Sequence, residues 1–338
     1  MRLLLIMQVE YEKAKAVFNR IESYRKCPSQ DPNYVVIDAN REKDLVPTFF
    51  VYEDGGEIYY HSFHVSPIPN SLYYDVQTPY GYGGPISTTE DPLFLKRAWN
   101  AYSDWSREKK IVVEFVRFHP ILENWRFYQG EVFYDRDTVW IDLTTENLMN
   151  EYQTRAKRKV RKAIKNDLVV QWVTYEEFFN HFPKVYDEVM NSLQADSFYY
   201  FSDAYYKAWQ TEKNVHFALC KHEEEVVATV FFYHNGSTME YHLSAATDLG
   251  KELAATSLVI HEAALLGKQL GYKQLHLGGG TNSHTDNPLF FFKSGFSNRR
   301  GNFKIGKVIH LQAIYDQMKD EWLEKNGEIT NRVLFYRS

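Results

Sequence analysis

Apolar and polar positions along the chain alternate in two ways, and the order in which they do so occurs twice. In the first half, strand-like runs at Pro47–Glu53 and Glu57–Val65 flank Asp54-Gly55-Gly56, a hairpin signal. The loop Pro79-Tyr-Gly-Tyr-Gly-Gly-Pro85 follows, then a helical period through Trp99 and Trp105, then the apolar strand Ile111–Phe118. In the second half, strands are expected at His216–Lys221, Glu225–His234 and Thr238–Ala245. A loop at Ala246–Lys251 leads into one long helix, Glu252–Leu270, stopped by Gly271. A buried strand at Tyr272–Leu277, the run Gly278-Gly-Gly280 and a short helix from Pro288 to Lys293 complete the order. Antiparallel strands, a connecting helix, one more strand and another helix describe an α+β fold with mixed sheets flanked by helices, present twice. The expected organisation is an N-terminal domain over 1–147, a second over 148–310, and a C-terminal helix and tail over 311–338 that packs back on the first.

At 338 residues, two cores are the default. A net charge of −5 argues against a surface that grips nucleic acid all over, and leaves room for a local basic patch. Cys27 and Cys220 are the only cysteines; they suggest neither a disulfide framework nor a zinc site, which fits a reducing compartment. The apolar opening Met1–Met7 is too short for a signal peptide, and no run approaches the roughly 18 apolar residues a membrane span needs. A cytoplasmic protein that touches the inner membrane surface peripherally is expected. The 25 Tyr and 23 Phe either fill sheets or line a groove for a sugar-like ligand.

Seven of the eleven residues in Arg155–Lys165 are Lys or Arg. On a helix, Arg155, Arg158, Arg161, Lys162 and Lys165 gather on one side, with Ala156, Val160, Ala163 and Ile164 opposite. Such a face is either solvated or suited to phosphate: tRNA, a nucleotide-sugar or lipid-linked diphosphate, or an anionic membrane. Zinc and serine-hydrolase motifs are absent: His261-Glu262 has Leu265 where a second histidine would stand, and there is no Gly-x-Ser-x-Gly. His276, His284 and Asp286 are weighed as metal ligands and set aside, so no metal is expected.

Four segments together resemble the Fem-type aminoacyltransferases, a branch of the N-acetyltransferase-like (GNAT) superfamily. They are Pro79–Pro85 with Phe115-Val-Arg-Phe-His-Pro120; Arg155–Lys165; Tyr241-His-Leu-Ser-Ala245 with the helix to Gly271; and Leu275-His-Leu-Gly-Gly-Gly280 leading to Phe291-Phe-Lys-Ser-Gly-Phe296. The resemblance implies two tandem GNAT-like domains and transfer of an activated acyl or aminoacyl group onto an amine of a cell-envelope precursor, a peptidoglycan peptide or an amino sugar. The long helical arm of larger Fem enzymes has no room between Tyr152 and Lys307, so the donor stays open between aminoacyl-tRNA and acyl-CoA, with no permanently bound cofactor.

The resemblance assigns the Phe292-Lys293 pair to catalysis, Lys293 as the cation beside a tetrahedral oxyanion; Lys293 alone would also suit a helix C-terminus. Asp286 is a candidate base. Arg158 and Arg161 would hold phosphate, Tyr82, Arg117 and His119 the acceptor, with Tyr205 and Tyr241 as further substrate contacts. Gly250 alone matches the pyrophosphate-binding loop of acetyl-CoA enzymes, and Asp248 and Glu252 put negative charge there. Rival readings are an acyl-CoA-dependent N-acetyltransferase acting on an amino sugar of surface polysaccharide, and a non-catalytic protein that binds glycan precursors.

Overall fold

The runs of aromatic and β-branched residues become strands. In the computed structural model, which describes residues 8–284, 286–330 and 332–337, these are β1 (Gln8–Val9), β2 (Val46–Asp54), β3 (Glu57–Pro67), β4 (Tyr74–Gln77), β5 (Ile86–Ser87), β6 (Ile111–Arg117), β7 (Glu131–Asp142), β8 (Val169–Val173), β9 (Val215–His222), β10 (Glu225–Asn235), β11 (Thr238–Ala246), β12 (Gln274–Gly278) and β13 (Arg300–Ile309). The apolar opening Met1–Met7 lies outside the described residues. Two compact units form: one runs to Asp135 and resumes at Asn302, the other is Arg136–Gly301. Both divisions fall inside strands, β7 and β13.

In the first unit the strands follow the order β1-β2-β3-β4-β6-β13, with β5 on β3. Only β4 and β6 run parallel; the other pairs are antiparallel. The expected hairpin closes with Asp54 opposite Glu57 across Gly55 and Gly56, whose φ of 63° and 90° suits residues without a Cβ. The helix Pro92–Glu108 starts where Asp91 accepts the amides of Leu93 and Phe94. It buries Phe94, Ala98, Trp99, Tyr102 and Trp105 against Phe50, Tyr59, Phe63, Val116 and Phe118. A separate cluster joins Val112 and Val113 of β6 to Tyr315 of the helix Gln312–Asn326 and to Leu334 and Phe335. The C-terminal tail is held there by Asp75, which accepts from Arg337 Nε at 2.7 Å and from the Tyr336 hydroxyl at 2.9 Å.

The second unit orders its strands β7-β12-β11-β10-β9-β8, parallel only between β11 and β12. One core packs the helices Thr154–Lys165 and Ala255–Gln269 with Val139, Ala228, Val230, Met239, Leu275 and Leu277. A second, aromatic set gathers Phe178, Phe182, Trp209, Phe217 and Phe231.

Two expectations are corrected. The stretch read as a loop followed by one helix is two helices, Asp248–Leu253 and Ala255–Gln269, broken at Ala254 with φ 64°. The early start has a local cause: the Thr247 hydroxyl caps by accepting the Gly250 N–H at 3.1 Å. A Cβ built on Gly250 would lie 2.0 Å from the Val227 carbonyl oxygen, so this turn is pressed onto β10. Gly250→Ala is therefore expected to cost about 1–3 kcal/mol through forced backbone movement, read by chemical denaturation with no ligand added. The second correction is Ile164, read with Ala156, Val160 and Ala163 as apolar side but 55% exposed. The buried stripe is narrow, and Ile164 falls about 80° around the helix from it at 100° per residue.

Candidate active site

In the second unit the site grows from the end of β12. Past His276 and Leu277 the chain turns at Gly278, φ 76°, into Gly279 and Gly280. A Cβ on Gly280 would meet Asn287 Oδ1 at 2.4 Å, so Asn287 can close over the loop only because that residue is glycine. Asn287 then does two things. Its Oδ1 accepts the amides of Leu289 and Phe290, starting the helix Pro288–Lys293, and its Nδ2 donates to Thr281 Oγ1 at 2.8 Å. Arg136 Nη1 donates to the Gly280 carbonyl at 2.9 Å and fixes the loop from β7.

This helix delivers Lys293. The side chain is 7% exposed, its Nζ donates to the Gly279 carbonyl at 2.9 Å, and it lies 5.5 Å from the centre of the Tyr241 ring. Among the described residues no carboxylate pairs with it. Burial therefore pulls its pKa down to about 7. Near neutral pH the amine and the ammonium coexist, so the group can present a positive hydrogen-bond donor to a developing oxyanion and can also exchange its proton.

Tyr241 sits where β11 bulges: Leu243 pairs with Phe231 and Tyr241 with Phe232, leaving His242 as the extra residue. The Tyr241 hydroxyl bonds Ser244 Oγ, and burial raises its pKa to about 12, so it stays a neutral phenol. His242 instead meets the Tyr205 hydroxyl through Nε2 at 2.6 Å, and burial drives its pKa down to about 3. Tyr205 is fully buried with this partner.

Beneath the loop, His276 is fully buried between Glu240 Oε2, 2.8 Å from Nδ1, and Thr138 Oγ1, 3.0 Å from Nε2. Thr138 donates its own proton to the Gly301 carbonyl at 3.2 Å, so it accepts from His276. The ring thus ties β7, β11 and β12 together next to the residues that carry Tyr241 and the glycine run.

Of the remaining candidates in this unit, Phe292 packs on the core and edge-to-face on Phe296. Asp286 lies exposed on the loop before Asn287. Arg158 and Arg161 are exposed on the outer side of their helix. Arg155, from the same helix, reaches the Lys293 helix: Nη2 donates to the Phe291 carbonyl at 2.8 Å and to Ser294 Oγ at 2.7 Å, with the guanidinium 3.9 Å over the Phe291 ring. Gly250 occupies the packed turn already described. Asn287, Arg136 and the Gly279 carbonyl were missed in the sequence. A lone Asn before Pro is a helix-start signal, but its second role in closing a glycine loop is a tertiary fact.

In the first unit, Tyr82, Arg117 and His119 come together around the loop Pro79–Pro85. Gly83 N–H donates to the Arg117 carbonyl at 2.7 Å, and Gly84, φ 87°, lies so close to Phe118 that a Cβ would come within 2.8 Å. Asn124 clamps the loop, donating to the carbonyls of Gly83 and Pro85 at 2.8 and 2.9 Å. The Tyr82 ring meets His119 and Phe303 edge-on at 5.5 and 5.4 Å. Arg117 lies over the Phe115 ring and donates to the Thr78 carbonyl at 3.3 Å. Burial, then the nearby Arg41 charge, lowers its pKa to about 10; it stays a cation that an anion would further stabilise.

No protein-family model matches the sequence, and no curated protein matches it. Solved structures do match in fold. The crystal structure of FemX superposes with a TM-score of 0.69 at 11% identity, covering 93% of this chain and 99% of FemX. The C-terminal domain of a protein from Agrobacterium fabrum, described as a lysylphosphatidylglycerol synthetase, gives 0.60 at 12% identity over 93% and 96%. L-PGS from Bacillus licheniformis gives 0.56 at 15% identity over 90% and 94%. At these identities the likeness is one of fold: the chain shares with FemX an α+β fold of mixed sheet flanked by helices.

Proposed function

We propose that this protein is an acyltransferase that moves an acyl or aminoacyl group onto an amine of a cell-envelope precursor. The observation that carries the reading is Lys293: a buried lysine at the end of a short helix, without a carboxylate partner, hydrogen-bonded to the Gly279 carbonyl beside Tyr241 in a fold shared with FemX. The acceptor amine attacks the activated carbonyl, the C–N bond forms, and the carbonyl oxygen takes up negative charge. The Lys293 ammonium donates a hydrogen bond to that oxygen. Collapse of the intermediate expels the donor's oxygen or sulfur leaving group, and the proton from the attacking amine goes to water or to Asp286.

The first unit serves as acceptor platform, with Tyr82 and Arg117 against the sugar or phosphate, and the second as donor and catalytic unit. Aminoacyl-tRNA is the favoured donor. The Gly250 N–H, which a coenzyme A pyrophosphate would need, is taken by Thr247, and Asp248 and Glu252 flank it. The structures similar in fold support the same direction, since they include FemX, a lysylphosphatidylglycerol synthetase domain and L-PGS.

A thermal-shift screen tests this, using UDP-N-acetylmuramoyl-pentapeptide, UDP-amino sugars, charged tRNA, acetyl-CoA and free coenzyme A. A ligand at about 100 times its dissociation constant adds about 2.7 kcal/mol. Stabilisation by an envelope precursor and by charged tRNA, with none by coenzyme A compounds, is the expected result. Stabilisation by coenzyme A compounds alone would replace this reading with the acetyltransferase one.

A further inference from the structure

The helix Thr154–Lys165 carries seven cations, and among the described residues none of them pairs with a carboxylate. Three have neutral partners: Arg155 as described, Lys157 on the Asn150 carbonyl at 3.2 Å, and Lys162 on the Glu252 carbonyl at 2.7 Å. Arg158, Lys159, Arg161 and Lys165 are exposed with no hydrogen bond or ion pair to another described residue. An ordinary solvated helix interleaves both signs at i, i+4 spacing, which lowers self-repulsion. Here the repulsion is left uncompensated, on a chain whose net charge is −5.

The arrangement is directional. With Ala156, Val160 and Ala163 facing the core, Arg158 and Lys165 point almost directly away from it and Arg161 lies about 130° around from it, at 100° per residue. The C-terminal end of the same segment is apolar as well as basic. Ile164 is 55% exposed and Val169, the first residue of edge strand β8, is 54% exposed, with Lys165 between them in sequence. Cations on an outward helix face beside exposed branched aliphatics match an anionic lipid surface, where charge meets headgroup phosphates and the aliphatics leave water. An RNA backbone satisfies the charges but gives Ile164 and Val169 nothing.

We propose that the segment Thr154–Val169 docks the protein on an anionic phospholipid surface, with Arg158, Arg161 and Lys165 on lipid phosphates and Ile164 and Val169 at the acyl boundary. This docking is independent of the transfer reaction.

Flotation with vesicles of phosphatidylglycerol in phosphatidylcholine, against pure phosphatidylcholine, tests it. The protein is expected to float with the anionic vesicles only. The triple variant Arg158→Glu/Arg161→Glu/Lys165→Glu, checked for native folding by circular dichroism, is expected to bind at least about a hundredfold more weakly, at roughly fivefold per cation. Ile164→Ser is expected to lose binding severalfold at high salt, where charge is screened. Lys293→Met should float as the parent does, which separates docking from the proposed catalysis. No flotation of the parent at low salt, or flotation unaffected in the triple variant, overturns the proposal. So does a gel shift with tRNA that the triple variant abolishes while the parent fails to float.

Discussion

Lys293→Met is expected to raise the stability of the protein while cutting transfer by a hundred- to a thousandfold. The two effects share one cause. In the unfolded chain a lysine titrates near 10.5, and here burial brings it to about 7. Because the folded value is the lower one, the unfolded state binds more protons between those limits, and stability rises with pH from about 7 to 10.5. Below that window the fold carries the whole cost of an unpaired ammonium, bounded by about 1.36 kcal/mol per pKa unit. Discounting for water penetration, methionine at this position should add about 2–4 kcal/mol at neutral pH, several degrees in Tm. A lysine kept for structure alone would not show this signature, since its removal would lower stability. Loss of the proposed oxyanion donor should appear mainly in kcat. In the parent, kcat/KM is expected to fall as pH rises through about 7, when the ammonium is lost, and the variant should lack that limb. Unfolding titrations and a pH–rate profile of both proteins measure it; a less stable variant with full activity would remove Lys293 from the chemistry.

That lysine shows how far the chain could be read. The hairpin at Gly55-Gly56 and the succession of strands β9, β10, β11 and β12 follow from period-two patterning and turn residues, which are local. The strands β7, β8 and β13 were not foreseen. Asp135, Arg136 and Asp137 interrupt the alternation in β7, and Lys304 and Lys307 do so in β13, so partners distant in sequence decide their state. The break at Ala254 was equally hidden: alanine favours helix, yet here it takes a left-handed φ of 64° between the two helices. In the site, Lys293 stood out only through its resemblance to a family pattern. What makes it unusual, a backbone carbonyl as partner and no carboxylate, is a property of the folded loop.

Glu114→Ala is expected to be among the most damaging substitutions in the first unit, at about 3–5 kcal/mol, although it touches no proposed substrate. Glu114 is the one charged residue within the apolar stretch Ile111–Val116 of β6, ahead of the terminal Arg117, and is fully buried. Its partners come from elsewhere in the chain. His61 Nε2, from β3, lies 2.7 Å from Oε1, and His310, just past β13, lies 3.8 Å from Oε2. Tyr59, Tyr102 and Tyr128 are buried around it, each with its phenol held well above the usual value, first by burial and next by the Glu114 charge. Burial alone would raise the carboxyl pKa, but the two imidazoles outweigh it and bring it to about 2. Against 4.5 in the unfolded chain, this depressed value means the stabilisation is complete above about pH 4.5 and is lost as pH falls toward 2, amounting to about 3 kcal/mol. Alanine leaves two buried imidazoles without their anion at any pH. Glu114→Gln keeps the shape and part of the hydrogen bonding, so it should cost less and flatten the acid limb. Chemical denaturation of the parent and both variants from neutral pH down to about 3 measures this. A parent whose stability does not fall between pH 4.5 and 3, or a glutamine variant that keeps the same acid limb, would show that the charge of Glu114 is not what holds this core together.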